Sequence, residues 1–128
     1  MKTLLILRGL PRSGKSTLAK HLMLHSVNAR EVSLDLFIEQ HGYFEDKMKE
    51  WAQACKDQCE LYMQNEVELI IQHGVNAQGW SYTPYLDMAK EHGYTAFVLI
   101  VENFHGGTNN SIPVHKFNKM QDVFKIHI

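Results

Sequence analysis

Residues 3–17 read TLLILRGLPRSGKST, and this stretch decides the fold. TLLIL (3–7) is a continuous apolar run ended by glycine, the pattern of a short strand buried on both faces. Leu18, Ala19, Leu22 and Met23 then recur on one side of a helix over residues 15–25. Between them, residues 9–16 match G-x-x-x-x-G-K-[ST] at every position, with Thr17 following. Strand, glycine turn and helix are the context that gives this phosphate-binding pattern its meaning. Gly9 and Gly14 let the backbone wrap closely and aim successive N–H groups inward. The positive end of the helix dipole points to the same place. Lys15 is placed to reach β- and γ-phosphates, and the Ser16 hydroxyl to ligate the Mg²⁺ that accompanies them. The expected ligand is ATP or another nucleoside triphosphate, bound by Gly9, Pro11, Arg12, Ser13, Gly14, Lys15, Ser16 and Thr17.

The remaining pattern places this turn in an α/β domain. REVSL (30–34) reads as a second strand, and residues 45–64 form a helix with Met48, Trp51, Ala52, Cys55, Cys59 and Tyr62 along one side. VELII (67–71) either extends that helix, capped by Gly74, or forms a third strand; its β-branched residues favour the strand. Pro84 suits the first turn of a helix ending at Gly93, and TAFVLIV (95–101) is the clearest strand in the chain. HGGTNNS (105–111) is a loop by composition, Pro113 opens a last helix, and KIHI adds an edge strand. Alternating strands and helices imply one three-layer α/β domain over residues 1–128, with a mostly parallel sheet of four or five strands.

Composition narrows the partners. Hydrophobic residues make up 45% and charged residues 21%, ordinary values for a soluble globular chain. The apolar runs are strand-sized, too short to cross a membrane, and no small-residue cleavage site follows the first, so a cytoplasmic location is expected. Residues 1–30 carry six Lys or Arg and no acid, whereas residues 31–70 carry ten acids against three bases. Local positive charge suits an anionic ligand; it is not the broad basic face of a duplex-binding protein. Cys55 and Cys59, one helical turn apart, are expected to be structural thiols, since no further ligands stand at metal-binding spacing.

Phosphoryl transfer to an alcohol needs a group that takes the hydroxyl's proton, and in open α/β sheets it comes from the carboxyl end of a strand. Asp35, read as ending the second strand, is either that base or the N-cap of the helix beginning LFIEQ.

LLILRGLPRSGKSTLAKHL, VSLDLF, VNAQGWSYTPYLDMAKEHGY and SIPVHKFNKMQDVFKI, in that order, resemble the small P-loop kinases related to bacteriophage 5′-hydroxyl polynucleotide kinase. The resemblance covers nearly the whole chain. It implies a P-loop kinase fold and transfer of the γ-phosphate of ATP to a hydroxyl, foremost the 5′-hydroxyl of a nucleic acid. A nucleoside or other small alcohol as acceptor, or a nucleotide-binding module without catalysis, are the alternatives. The resemblance puts the general base on Asp35 and matches Asn76 and Trp80 beside the acceptor. An acid that the family usually carries just before the residues matching Val75-Asn76 is replaced by His73-Gly74. The usual lid Arg is missing from VENFHGGTNN, Ile38 stands where an acceptor-holding Arg is frequent, and Arg12 is the candidate substitute for the lid. His73 is expected to orient the acceptor if VELII is a strand. The acceptor, if nucleic acid, is a single-stranded end gripped by few charges, with Trp80 either stacking on a terminal base or packing in the core.

Overall fold

A computed structural model describes residues 1–9, 14–74 and 79–101, the side chains of the last segment from Ser81 onward. β1 (Thr3–Arg8) leads to α1 (Lys15–Leu24), β2 (Ala29–Ser33) and α2 (Leu34–His41). A 3₁₀ turn (Glu45–Lys47) precedes α3 (Met48–Gln64), followed by β3 (Leu69–Gly74), α4 (Gly79–Glu91) and β4 (Thr95–Ile100). The strands form one parallel sheet in the order β2-β3-β1-β4.

Side-chain alternation along the strands divides the core in two. Leu4, Ile6, Val32 and Ile70 pack with Cys55, Cys59 and Met63 of α3 and with Tyr85 and Ala89 of α4. Leu7 and Ile71 turn the other way, onto Ala19 and Leu22 of α1. Helices therefore cover both faces of the sheet, giving a three-layer α/β architecture. β1 pairs with β3 on one side and β4 on the other. The chain winds from β1 towards β3 and β2, then returns past β1 to β4. The switch in direction opens a crevice at the carboxyl ends of β1 and β3, where Arg8 stands opposite Gly74.

Three local readings shift. VELII is strand, as its β-branched residues indicate, but the strand runs two to three residues later, because Glu66 takes a left-handed turn (φ 58°) after α3. Pro84 lies inside α4 rather than opening it, so the carbonyl one turn back receives no N–H from residue 84. Asp35 does not end β2: it sits in the first turn of α2, whose N-cap is Ser33, the Ser33 Oγ accepting the Asp35 N–H at 3.0 Å. The end of α4 follows expectation. Gly93 (φ 75°) donates to the Lys90 carbonyl and Tyr94 to that of Ala89, the paired bonds of a Schellman stop. The loop at 105–111, the helix from Pro113 and the KIHI strand lie outside the described residues.

Among the described residues no helix is long and apolar enough to cross a membrane. Cys55 and Cys59 are buried free thiols, as their place on the apolar side of α3 requires. Burial, with Asp35 nearby, pushes the Cys55 thiol up to about 11. Burial, helped by Cys55 and Glu60, pushes Cys59 to about 12. Both therefore stay protonated near neutrality, and the thiolate is the nucleophile. In the folded protein at pH 8, neither should react with a disulfide reagent on the timescale of a free thiol, and both should react at once in denaturant. Fast labelling of either cysteine in the native state would contradict this packing.

Candidate active site

The site is built where β1 stops. Gly9, at the buried end of β1, and Gly14, in left-handed conformation (φ 98°), flank the turn into α1. Gly14 is also the N-cap of α1, and it provides no capping side chain. The first turn of α1 contains no acid. Its N–H groups and dipole end thus form an anion-attracting surface that no carboxylate of that turn neutralises.

Lys15 opens α1 yet is only 3% exposed. Its Nζ donates to the carbonyl of Gly9 at 2.6 Å, bridging the two ends of the turn. Burial lowers its pKa from the usual 10.5, and the negative charge of Asp35 partly restores it. A desolvated ammonium beside uncapped N–H groups gains most from an anion that replaces the water it has lost. Ser16 is half-buried and Thr17 exposed, one and two residues further along the same turn of helix.

Asp35 reaches this region because the Ser33 cap starts α2 directly after β2. Its charge is felt both at Lys15 and at Cys55 of α3. The structure therefore brings Lys15 and Asp35 together, and it removes the N-cap explanation for Asp35. Ile38, one turn on, is buried at 2% exposure and contributes to the core.

His73 turns to the sheet face covered by α1. It is fully buried, with Nε2 3.0 Å from Glu31 Oε2, and Nδ1 has no hydrogen-bond partner among the described residues. Asp35 meets α3 on the other face. Arg12, Pro11, Ser13 and Asn76, and the side chain of Trp80, lie outside the described residues.

Sequence reasoning missed Arg8. Its guanidinium is 1% exposed at the carboxyl end of β1, and its carbon lies 4.8 Å from the centre of the Tyr82 ring on α4. A buried cation stacked on an aromatic face is a stabilised arrangement. The signal was a lone charge ending an apolar run directly before glycine. Glu31, the partner of His73, was equally invisible, since the two are 42 residues apart.

The family model of the AAA domain (AAA_33) matches residues 4–103, which take in every element described above except the first residue of β1. The chain belongs to the AAA_33 family. Human NEDD4-binding protein 2 is 30% identical to this AAA domain over 97 residues, 71% of this chain but 5% of that protein. Among solved structures, the Pnkp1/Rnl/Hen1 complex superposes with a TM-score of 0.67 at 22% identity, covering 92% of this chain and 38% of that one. Chaetomium thermophilum Kti12 in complex with ADP-AlF3 gives 0.67 at 15% identity, covering 96% of this chain and 80% of that chain. Mycobacterium tuberculosis APS kinase CysC with AMPPNP and APS gives 0.57 at 12% identity, over 92% and 67% of the two chains. The likeness to P-loop kinases is one of fold, and the AAA domain spans a small part of the human relative and well under half of the Pnkp1-complex chain.

An anion at Lys15 should raise its lowered pKa towards the ordinary value. At alkaline pH, binding MgATP should therefore draw a proton from solvent, because unliganded Lys15 gives up its proton at lower pH than an ordinary lysine. Calorimetry at pH 9 in buffers of different ionisation enthalpy should register this uptake, and Lys15→Met should abolish it. Equal uptake in that variant would place the titrating group elsewhere.

Proposed function

We propose that this AAA domain is an ATP-dependent phosphotransferase that moves the γ-phosphate to a hydroxyl, foremost the 5′-hydroxyl of a nucleic acid. The observation that carries the reading is the buried Lys15, closed onto Gly9 beside an uncapped helix end, with the Asp35 charge in reach. A binding module needs the first two features. It has no use for the carboxylate.

The donor set fits a metal-bound triphosphate. Left-handed Gly14, the acid-free first turn and the desolvated ammonium all favour a compact polyanion. Bound Mg²⁺ would supply charge neutralisation across the β- and γ-phosphoryl oxygens, and Ser16 is the residue to hold it. Lys15 exchanges the Gly9 carbonyl for phosphoryl oxygens and binds the transferring group. The α1 N–H groups orient the phosphates. Asp35 accepts the hydroxyl proton as the acceptor oxygen forms its bond to phosphorus and the bond to the leaving ADP oxygen breaks. Arg12, Asn76 and Trp80 belong to this proposal by resemblance. His73, expected from the sequence to orient the acceptor, is instead fully buried with Glu31 on the sheet face opposite Asp35, and no step is assigned to it.

The nucleic-acid acceptor rests on the sequence resemblance, and the Pnkp1 complex that shares the fold is itself an RNA repair complex. The ten acids of residues 31–70 favour an acceptor with little phosphate, such as a single-stranded end or a nucleoside. Labelled γ-phosphate offered with 5′-hydroxyl oligonucleotides and a panel of nucleosides will rank the two. Asp35→Asn should reduce turnover by about 10²–10⁴-fold. ATP affinity and melting temperature should hold, since Ser33 and not Asp35 caps α2. Undiminished turnover in Asp35→Asn would overturn the assignment of the base.

A further inference from the structure

At the far end of the α2–α3 hairpin from Asp35, an open pocket of about 380 Å³ is lined by His41, Phe44, Asp46, Lys47, Glu50 and Trp51. That volume lies in the range of small-molecule sites. Its floor is built rather than incidental. Phe37 stacks on the Trp51 ring at 5.8 Å and 22°, which holds the indole flat. His41 tilts over it at 5.7 Å and 38°. Phe44 stands as a wall, its ring at 84° to the indole and 6.5 Å away. Phe44 is about half exposed at 51%, a large aromatic that folding leaves in water.

The rim selects the ligand by charge. Asp46 and Glu50 oppose a phosphate, and Lys47, 3.6 Å from Glu50, offsets one of these two carboxylates so that the rim carries little net charge. What remains is a flat, neutral ring that stacks on an aromatic face and offers hydrogen-bond donors and acceptors along its edge. A nucleobase has this chemistry, and base–aromatic stacking tolerates any base.

The position ties the pocket to the reaction. Asp35 and His41 are six residues apart on α2, about 9 Å along the axis. Cys55, which feels the charge of Asp35, is one helical turn from Trp51 on α3. We infer that the pocket formed by His41, Phe44 and Trp51 binds a nucleobase of the phosphate acceptor, holding it while its hydroxyl reaches Asp35. The inference rests on the phosphotransferase reading and adds to it the requirement for a base near the reacting hydroxyl.

The chain has two tryptophans, Trp51 and Trp80, so the quench that the wild-type protein shows and Trp51→Phe lacks reports on Trp51. Adenosine, and a short 5′-hydroxyl oligonucleotide, should quench its fluorescence; choline and inorganic phosphate should not. Phe44→Ala and Trp51→Leu should raise the acceptor KM by roughly 5- to 150-fold. Calorimetric ATP affinity serves as the check on folding, and Phe44→Ala carries the test if loss of the Phe37–Trp51 stack unfolds the Trp51 variant. An acceptor lacking its terminal bases should be phosphorylated with a KM raised to the same degree by wild-type protein. If base-less and intact acceptors have equal KM, the pocket assignment fails while the phosphotransferase reading stands. Quenching by choline and not by adenosine would likewise overturn it, in favour of a cation site. Quenching by adenosine with no phosphate transfer to any acceptor would support the pocket and fault the phosphotransferase reading instead.

Discussion

A buried lysine ammonium on the carbonyl that ends the central strand is the interaction on which the rest of this structure depends. Burying Lys15 costs free energy unless a partner compensates, and Gly9 supplies one bond at 2.6 Å. That bond requires β1 to deliver Gly9 to a fixed place. β1 can do so because it is held by parallel partners on both edges and by packed side chains on both faces. It also requires α1 to begin at once after the turn, which the left-handed Gly14 permits. Sheet pairing, helix placement and the left-handed Gly14 all meet in this one bond.

That constraint also explains where the positive charge goes. Six of the first 30 residues are basic, and Lys2, Arg8, Lys15 and Arg30 among them are tied to separate partners. Lys2 lies at the opposite end of β1, its Nζ 3.3 Å from the His92 carbonyl and over the Tyr94 ring. Arg30 folds onto the carbonyl of Ala29. Arg8 and Lys15 are the described basic residues buried at the carboxyl ends of the strands, Arg8 against Tyr82 and Lys15 against Gly9. Two buried cations at one crevice attract a compact anion more effectively than six spread over a surface.

Much of this was legible because it is local. A strand, a glycine turn and a helix within 22 residues specify their own order, and the β-branched residues of VELII identify β3. Boundaries were less legible. Pro84 reads as a helix start because proline is favoured there, whereas α4 begins at Gly79 and carries Pro84 in its interior. Aspartate and serine are both favoured at N-caps, and only the backbone decides that Ser33 and not Asp35 takes that place here. Long-range pairs carry no local signal at all. Glu31 with His73, Arg8 with Tyr82, and the ring cluster of Phe37, Phe44 and Trp51 come together through topology.

The central claim is that this turn is held for a triphosphate through Lys15, and thermal unfolding with and without MgATP tests it most directly. A ligand bound only by the native state stabilises it by RT ln(1 + [L]/Kd), about 2.7 kcal/mol at a hundredfold excess over Kd. The account predicts a clear rise in Tm for the wild-type chain with MgATP, little rise with AMP, and a rise largely lost in Lys15→Ala. An equal MgATP-dependent rise in Lys15→Ala would contradict it.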